Sequence, residues 1–179
     1  MHRDPLIQAI AKYAARHPEE VEVTERFRAF IRDHEDCFLR SQLSGHVTGS
    51  AWIVNAPGDS VLLTHHRKLD IWVQPGGHAD GDPDILAVAL KEATEETGLD
   101  PLEPVGEDIF DLDIHSIPAR GEIPEHFHYD VRFAIRHEGE GEFTVTEESH
   151  DLAWVPLESL GDYTDEASMH RMARKWQTM

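Results

Sequence analysis

The stretch GGHADGDPDILAVALKEATEETGL, from Gly76 to Leu99, constrains the folding of this chain more than any other segment. A Pro-Gly-Gly corner at Pro75, Gly76 and Gly77 opens it, an Asp-rich loop follows, and a helix carrying Glu92, Glu95 and Glu96 closes it. Asp82 or Asp84 can cap the start of that helix, Pro83 suits its first turn, and Gly98 supplies its stop. The three glutamates stand at i, i+3 and i+4, so their carboxylates emerge on one helical face. Like charges at this spacing repel by roughly a few tenths of a kcal/mol per pair, so a positive partner is expected beside them.

The apolar residues of the helix point the same way. At about 100° per residue, Leu86, Ala89, Leu90 and Ala93 form one stripe, while Ile85, Val88 and Leu99 fall on the side of the glutamates. A solvated acidic face would not carry Ile and Val, so the helix is expected to pack on both sides.

Around this centre the chain reads as helices, then strands. Asp4 and Pro5 form a cap and first-turn pair for a helix with Leu6, Ile7, Ile10, Ala11 and Ala14 on one face. After Pro18, Thr24 can cap a second helix striped by Phe27, Phe30, Ile31 and Phe38, and helical character extends to about Leu43. Cys37 follows an acidic pair and has no basic activator, which marks an inert thiol. From His46, HVTGSAWIVN, a turn at Pro57-Gly58-Asp59 and SVLLTHH form a hairpin signature, and LDIWVQ alternates up to Pro75. Beyond the central helix come the strand-like DIFDLDIHSI and EHFHYDVRFAIR, the segment EESHDLAWVPLESL, and a last helix with Met169, Met172, Ala173 and Trp176 at helical spacing. Residues 1–43 are expected to be a helical extension packed on a domain of residues 44–179, the whole forming one structural unit.

The length of 179 residues, 40% hydrophobic and 28% charged, suits one domain with a substantial core. A formal net charge of −19 argues against a nucleic-acid polymer or an anionic membrane as partner. It is compatible with a small phosphorylated substrate where metal ions mask the local carboxylates. With Cys37 alone, no intrachain disulfide can form, which fits a reducing compartment. No secretory leader pattern or membrane-length apolar run is present, so a cytoplasmic location is expected.

The stretch from Gly76 to Leu99 resembles the Nudix box, G-x5-E-x7-R-E-U-x-E-E-x-G-U, with U a bulky aliphatic residue. Its first glycine falls on Gly77, its REUxEE on Lys91-Glu92-Ala93-Thr94-Glu95-Glu96, and its final GU on Gly98-Leu99. Pro83 replaces the early Glu of the box, Lys91 its Arg, and Ala93 its central aliphatic residue. In the family that Glu and Arg belong to the scaffolding of the loop and helix, and Lys91 can still pair with Glu95. The resemblance covers roughly His46 to Leu160. It implies an α/β fold, a Nudix-like α/β/α sandwich around a mixed sheet, with extra N-terminal helices and a C-terminal helix.

Clustered carboxylates with no cysteine nearby favour hard cations, Mg²⁺ first and Mn²⁺ second. Such ions draw charge from phosphorus and acidify a bound water, which is the help that hydrolysis of a diphosphate linkage needs. By resemblance, Glu92 and Glu96 would be the principal ligands, Glu95 a third ligand with a catalytic part, and the Gly76 carbonyl a further donor. A carboxylate from outside the box is expected as ligand or general base. Glu148, six residues before Trp154, is the candidate, with Glu147 behind it.

In EHFHYDVRFAI, Phe127, Tyr129, Val131, Phe133 and Ile135 alternate onto a core face. His126, His128, Asp130 and Arg132 fall on the other, which is either a solvated face or a substrate-facing wall gripping phosphate through Arg132 or the imidazoles. His78 follows the Gly-Gly corner and belongs beside the metal site if the box folds as in the family. Trp52 and Trp72 could stack on a base, although burial is the commoner use of such residues.

The resemblance implies a hydrolase acting on phosphorus-containing anhydrides, here a pyrophosphate linkage in a nucleoside diphosphate derivative. It leaves a homodimer open. Two alternatives are an enzyme like isopentenyl diphosphate isomerase and a non-catalytic Nudix-like nucleotide sensor. The isomerases carry a Cys-Gly-His segment where this chain has Gly76-Gly77-His78, and a sensor would be expected to lose box glutamates that this chain keeps.

Overall fold

The computed structural model describes residues 2–67, 70–139, 143–146 and 149–179. Two helices, α1 (Asp4–Arg16) and α2 (Val21–Asp33), precede the strands β1 (Gly45–Val54), β2 (Ser60–His66), β3 (Ile71–Val73) and β4 (Gly76–His78). Helix α3 (Ile85–Thr97) follows, then β5 (Glu103–Pro104), β6 (Asp111–Ile117), β7 (His126–Arg136), β8 (Ser149–Pro156) and α4 (Ala167–Gln177).

The spine of the mixed sheet is the parallel ladder of β1 and β7, in register from Gly45 with Phe127 to Val54 with Arg136. The other edge of β1 is shared. Its middle pairs antiparallel with β4, and its end meets β2, which carries β3 and β8. On the far side β7 pairs antiparallel with β6 and β5. Alternation then assigns the faces. Val47, Ala51, Ile53, Tyr129, Val131, Phe133 and Ile135 bury one face against apolar residues of α1, α2 and α3. Trp52, Val54, Ala134 and Leu63 bury the opposite face against Met169, Met172 and Ala173 of α4. The α/β/α layering implied by the box is therefore observed. Among the described residues no helix is long and apolar enough to cross a membrane.

The N-terminal helices depart from expectation in detail. Asp4 is the first residue of α1, so the cap position falls on Arg3, which makes no side-chain capping bond. Thr24 lies inside α2, its buried hydroxyl donating to the Val21 carbonyl at 3.0 Å rather than capping the helix. Helix α2 also stops at Asp33, short of Leu43, and the segment after it is bonded to β1 and to the loop after β4. The carbonyls of Cys37 and Phe38 accept from the N–H groups of Val47 at 2.8 Å and Gly81 at 2.9 Å. Phe38 thus reaches the core from a loop, and burial pushes the Cys37 thiol up to about 11, which keeps it unreactive.

Candidate active site

Helix α3 is positioned by its own ends. The side chain of Asp84 accepts from the Ala87 N–H at 3.1 Å, and Gly98 closes the helix at φ 70°, its N–H donating to the Thr94 carbonyl. Asp84 is the cap, so Pro83 precedes the helix instead of occupying its first turn; Asp82 accepts from the Asp84 N–H in the loop. Ile85 and Val88 press on β1 at Gly49, where an added Cβ would stand 2.9 Å from Ile85 and 3.2 Å from Val88. The expected packing on the glutamate side is that contact.

It brings α3 over the Gly-Gly corner, which is itself strand β4, with Gly76, Gly77 and His78 opposite Ser50, Gly49 and Thr48. The Gly76 N–H donates to Glu96 Oε1 at 3.2 Å. The Glu92 carboxylate lies so close to Gly77 that a Cβ there would be 2.3 Å from Oε2. Glu95 stands outward, its side chain 60% exposed, and Lys91 reaches both neighbours, 3.3 Å from Glu92 and 3.4 Å from Glu95. Bonded first to Glu92, the Lys91 ammonium is held above its ordinary range, so it is the positive partner the glutamates require. Glu92 and Glu96 thus both reach the backbone of one short strand, and carboxylate oxygens there are hard donors of the kind that suit Mg²⁺. Position 76 has no room for a side chain, since a Cβ would lie 2.2 Å from Ser50 Oγ; an isomerase-type cysteine could not stand there without displacing β1.

Glu148 and Glu147 lie outside the described residues. Strand β8 begins beside them at Ser149, buried and hydrogen-bonded to Thr64 Oγ1.

The polar face of β7 is neither solvated nor open at Arg132. This guanidinium, 3% exposed, donates to Asp130 Oδ2 at 2.7 Å and to Asp111 Oδ2 at 3.2 Å, and lies 3.3 Å from Asp113. Burial opposes its charge, but the three carboxylates outweigh burial and hold its pKa above the ordinary value. Asp130 in turn accepts from Thr48 and Ser50 at 2.9 and 2.7 Å. Asp111 and Asp113 also receive Arg171 of α4, and Asp111 receives Lys175. Arg132 is therefore fully engaged inside the fold, which corrects its reading as a phosphate-gripping residue. Of the tryptophans, Trp52 is wholly buried, and half-buried Trp72 stacks on His65 at 4.9 Å.

His126 and His128 continue the same face, and the fold brings the expected His78 to them together with His46 and His115, which their sequence positions did not suggest. His46 of β1 is in register with His128, His115 of β6 with His128, and His78 of β4 with Thr48, two residues along from His46. Ring centroids are 5.0 Å apart for His46 and His78, 5.0 Å for His46 and His128, and 4.9 Å for His78 and His128. Burial lowers the pKa of His46, holds His78 down to about 4 and His128 to about 2. These three rings are neutral near pH 7 and offer phosphate no charge. Only strand register brings His46 to this group; the one sequence signal is its parity with Thr48 and Ser50.

The Nudix domain model matches residues 45–176, and the chain belongs to the Nudix family. The m7GpppN-mRNA hydrolase NUDT17 of Danio rerio is 32% identical over 77 residues, which are 39% of this chain and 26% of that protein's length. The chain therefore spans about a quarter of that relative. Among solved structures, the MutT protein of Methanosarcina mazei Go1 superimposes with a TM-score of 0.61 at 20% identity, covering 76% of this chain and 96% of the other. An Ap4A hydrolase binary complex from C. elegans gives 0.60 at 20% identity, covering 74% and 95%. At these identities the two structures establish the fold.

Proposed function

We propose that this chain is a divalent-metal-dependent hydrolase that cleaves a diphosphate linkage, in a nucleoside diphosphate derivative, by attack of water. The observation that carries this reading is the meeting of Glu92 and Glu96 on the backbone of Gly76 and Gly77. Glu92, Glu96 and the Gly76 carbonyl would hold Mg²⁺, or Mn²⁺ in its place, with Glu95 completing the set. An ion held there would supply Lewis acidity, drawing charge from phosphorus and making the attacking water more acidic. Lys91 offsets the mutual repulsion of Glu92 and Glu95 in the absence of the ion. A carboxylate, Glu95 or Glu148, takes the proton of the attacking water. The water oxygen bonds to phosphorus, the bridging P–O bond breaks, and the bridging oxygen leaves on the other phosphate.

The name of the Danio rerio relative supports a nucleotide-derived substrate. The net charge of −19 favours a small substrate over a polymer, in a cytoplasmic setting. Incubation with nucleotide sugars, dinucleotides, nucleoside triphosphates and coenzymes, with products identified, tests the reading. Glu96→Gln should lower turnover at least about 100-fold, since even groups behind a metal ligand are worth 10–100-fold, and leave the melting temperature nearly unchanged. Near-full activity of that variant, with metal present, would sink the proposal.

A further inference from the structure

The buried face of the sheet carries a second group of ligand-bearing side chains. Among the described residues, only two sets of three have donor atoms within 4.8 Å of one another. One is His17, Glu19 and Glu20, of which Glu20 is taken by Lys175 at 2.6 Å. The other is His46, His78 and His128. We propose that His46, His78 and His128 form a binding site for a borderline transition-metal ion, Zn²⁺ foremost, separate from the glutamate site and independent of the hydrolase reading.

Three observations converge on this. The rings form a nearly equilateral triangle, with centroids 4.9 to 5.0 Å apart, built on three adjacent strands. Both ring nitrogens of His46, 4% exposed, and Nε2 of His128 are buried without a hydrogen-bond partner. Buried polar atoms are rarely left so. The neighbouring histidines are satisfied differently: His115 Nδ1 contacts Asp113 at 3.1 Å, and His126 Nδ1 contacts the Pro124 carbonyl at 3.0 Å. Two of the three triangle histidines, His46 and His128, thus carry unpartnered buried nitrogens.

The chemistry of the donors selects the ion. Neutral imidazoles suit Zn²⁺, Co²⁺, Ni²⁺ or Cu²⁺, whereas Mg²⁺ takes oxygen. Zn–N bonds of 2.0–2.1 Å at tetrahedral angles place nitrogens about 3.3 Å apart, so the rings close slightly on the ion. Three protein ligands leave a fourth position for water or substrate oxygen. The two sites are neighbours but separate. Gly77 turns towards Glu92, and the next residue, His78, turns to the opposite face of β4.

The untagged 179-residue chain, stripped with a chelator and held in excess Mg²⁺, should bind one equivalent of Zn²⁺, with Co²⁺ giving the visible bands of a four-coordinate nitrogen-ligated ion. X-ray absorption on the Zn²⁺-loaded wild type should show imidazole scattering; an oxygen-only shell would overturn the proposal, whatever the variants do. Glu92→Gln/Glu96→Gln should retain the ion, as should His115→Ala and His17→Ala. His128→Ala should weaken binding by more than about 100-fold, since outer partners of metal ligands alone are worth 10–100-fold. Unchanged affinity in a folded His128→Ala protein, or absence of Zn²⁺ binding by the wild type, refutes the site.

Discussion

The Glu92 carboxylate rests on Gly77, leaving only 2.3 Å between Oε2 and the place where a Cβ would stand. The atom a side chain would meet is the far end of a flexible glutamate, so the fold can yield at small cost while the carboxylate cannot keep its position. Gly77→Ala should therefore lower kcat/KM at least about tenfold through displacement of Glu92, the proposed metal ligand, by analogy with the 10–100-fold effect of ligand-orienting groups. Its melting temperature should fall by only a few degrees, about 1–2 kcal/mol at 2–4 °C each. Steady-state kinetics beside thermal melts check this. A large loss of stability with unchanged kinetics per folded molecule would show that the glycine serves packing instead.

Arg132 makes the opposite kind of prediction. Its charge is enclosed by Asp111, Asp113 and Asp130, which would be left without their central cation in Arg132→Met. Removing one member of a buried ionic group typically costs about 3–5 kcal/mol, and urea unfolding should show a loss of that order. If Arg132 instead gripped phosphate, the variant would raise KM while keeping its unfolding midpoint.

What could be read from the chain alone follows the range of the interactions. Helix α3 was legible because its cap, stop and stripe are all local: Asp84, Gly98, Ile85 and Ala89 lie within one segment. The core face of β7 was legible because alternation is local too. Its polar face was not, since what covers it comes from β6 and α4, through Asp111, Asp113, Arg171 and Lys175. The parallel register that sets His46 beside His128 joins residues 82 positions apart, and no spacing rule reports it. Thr24 and the end of α2 misled for a related reason. A hydroxyl can bond back within a helix as well as cap one, and the carbonyls of Cys37 and Phe38 were claimed by distant N–H groups.

Asp113 links the ionic group to pH. Burial alone would raise its pKa, but His115, Arg132 and Arg171 outweigh burial and hold the carboxyl well below the usual carboxylate range. A carboxyl depressed in the folded state stabilises at pH above its unfolded value, about 3.9, and that contribution disappears as pH falls through the folded value. Asp113→Asn should therefore melt below wild type at pH 6, and the gap should narrow steadily from about pH 4 downward. A gap constant from pH 6 to pH 2 would mean that packing, not charge, accounts for the difference.

Lys91 competes for the carboxylates that the metal would occupy. Its ammonium lies 3.3 Å from Glu92 and 3.4 Å from Glu95 on an exposed surface, where an ion pair is worth only about 0–1 kcal/mol. Lys91→Gln should consequently change the unfolding free energy by less than about 1 kcal/mol. The effect should appear in metal binding. Without the ammonium the glutamates repel one another and present more negative potential, so the Mg²⁺ concentration for half-maximal activity should fall by about two- to fivefold, the equivalent of a surface pair. The competing possibility is that Lys91 orders Glu92 for the ion, in which case the same variant would need more Mg²⁺. Titration of activity against Mg²⁺ at fixed ionic strength distinguishes the two by the direction of the shift, and a rise would contradict the competitive role argued from the geometry.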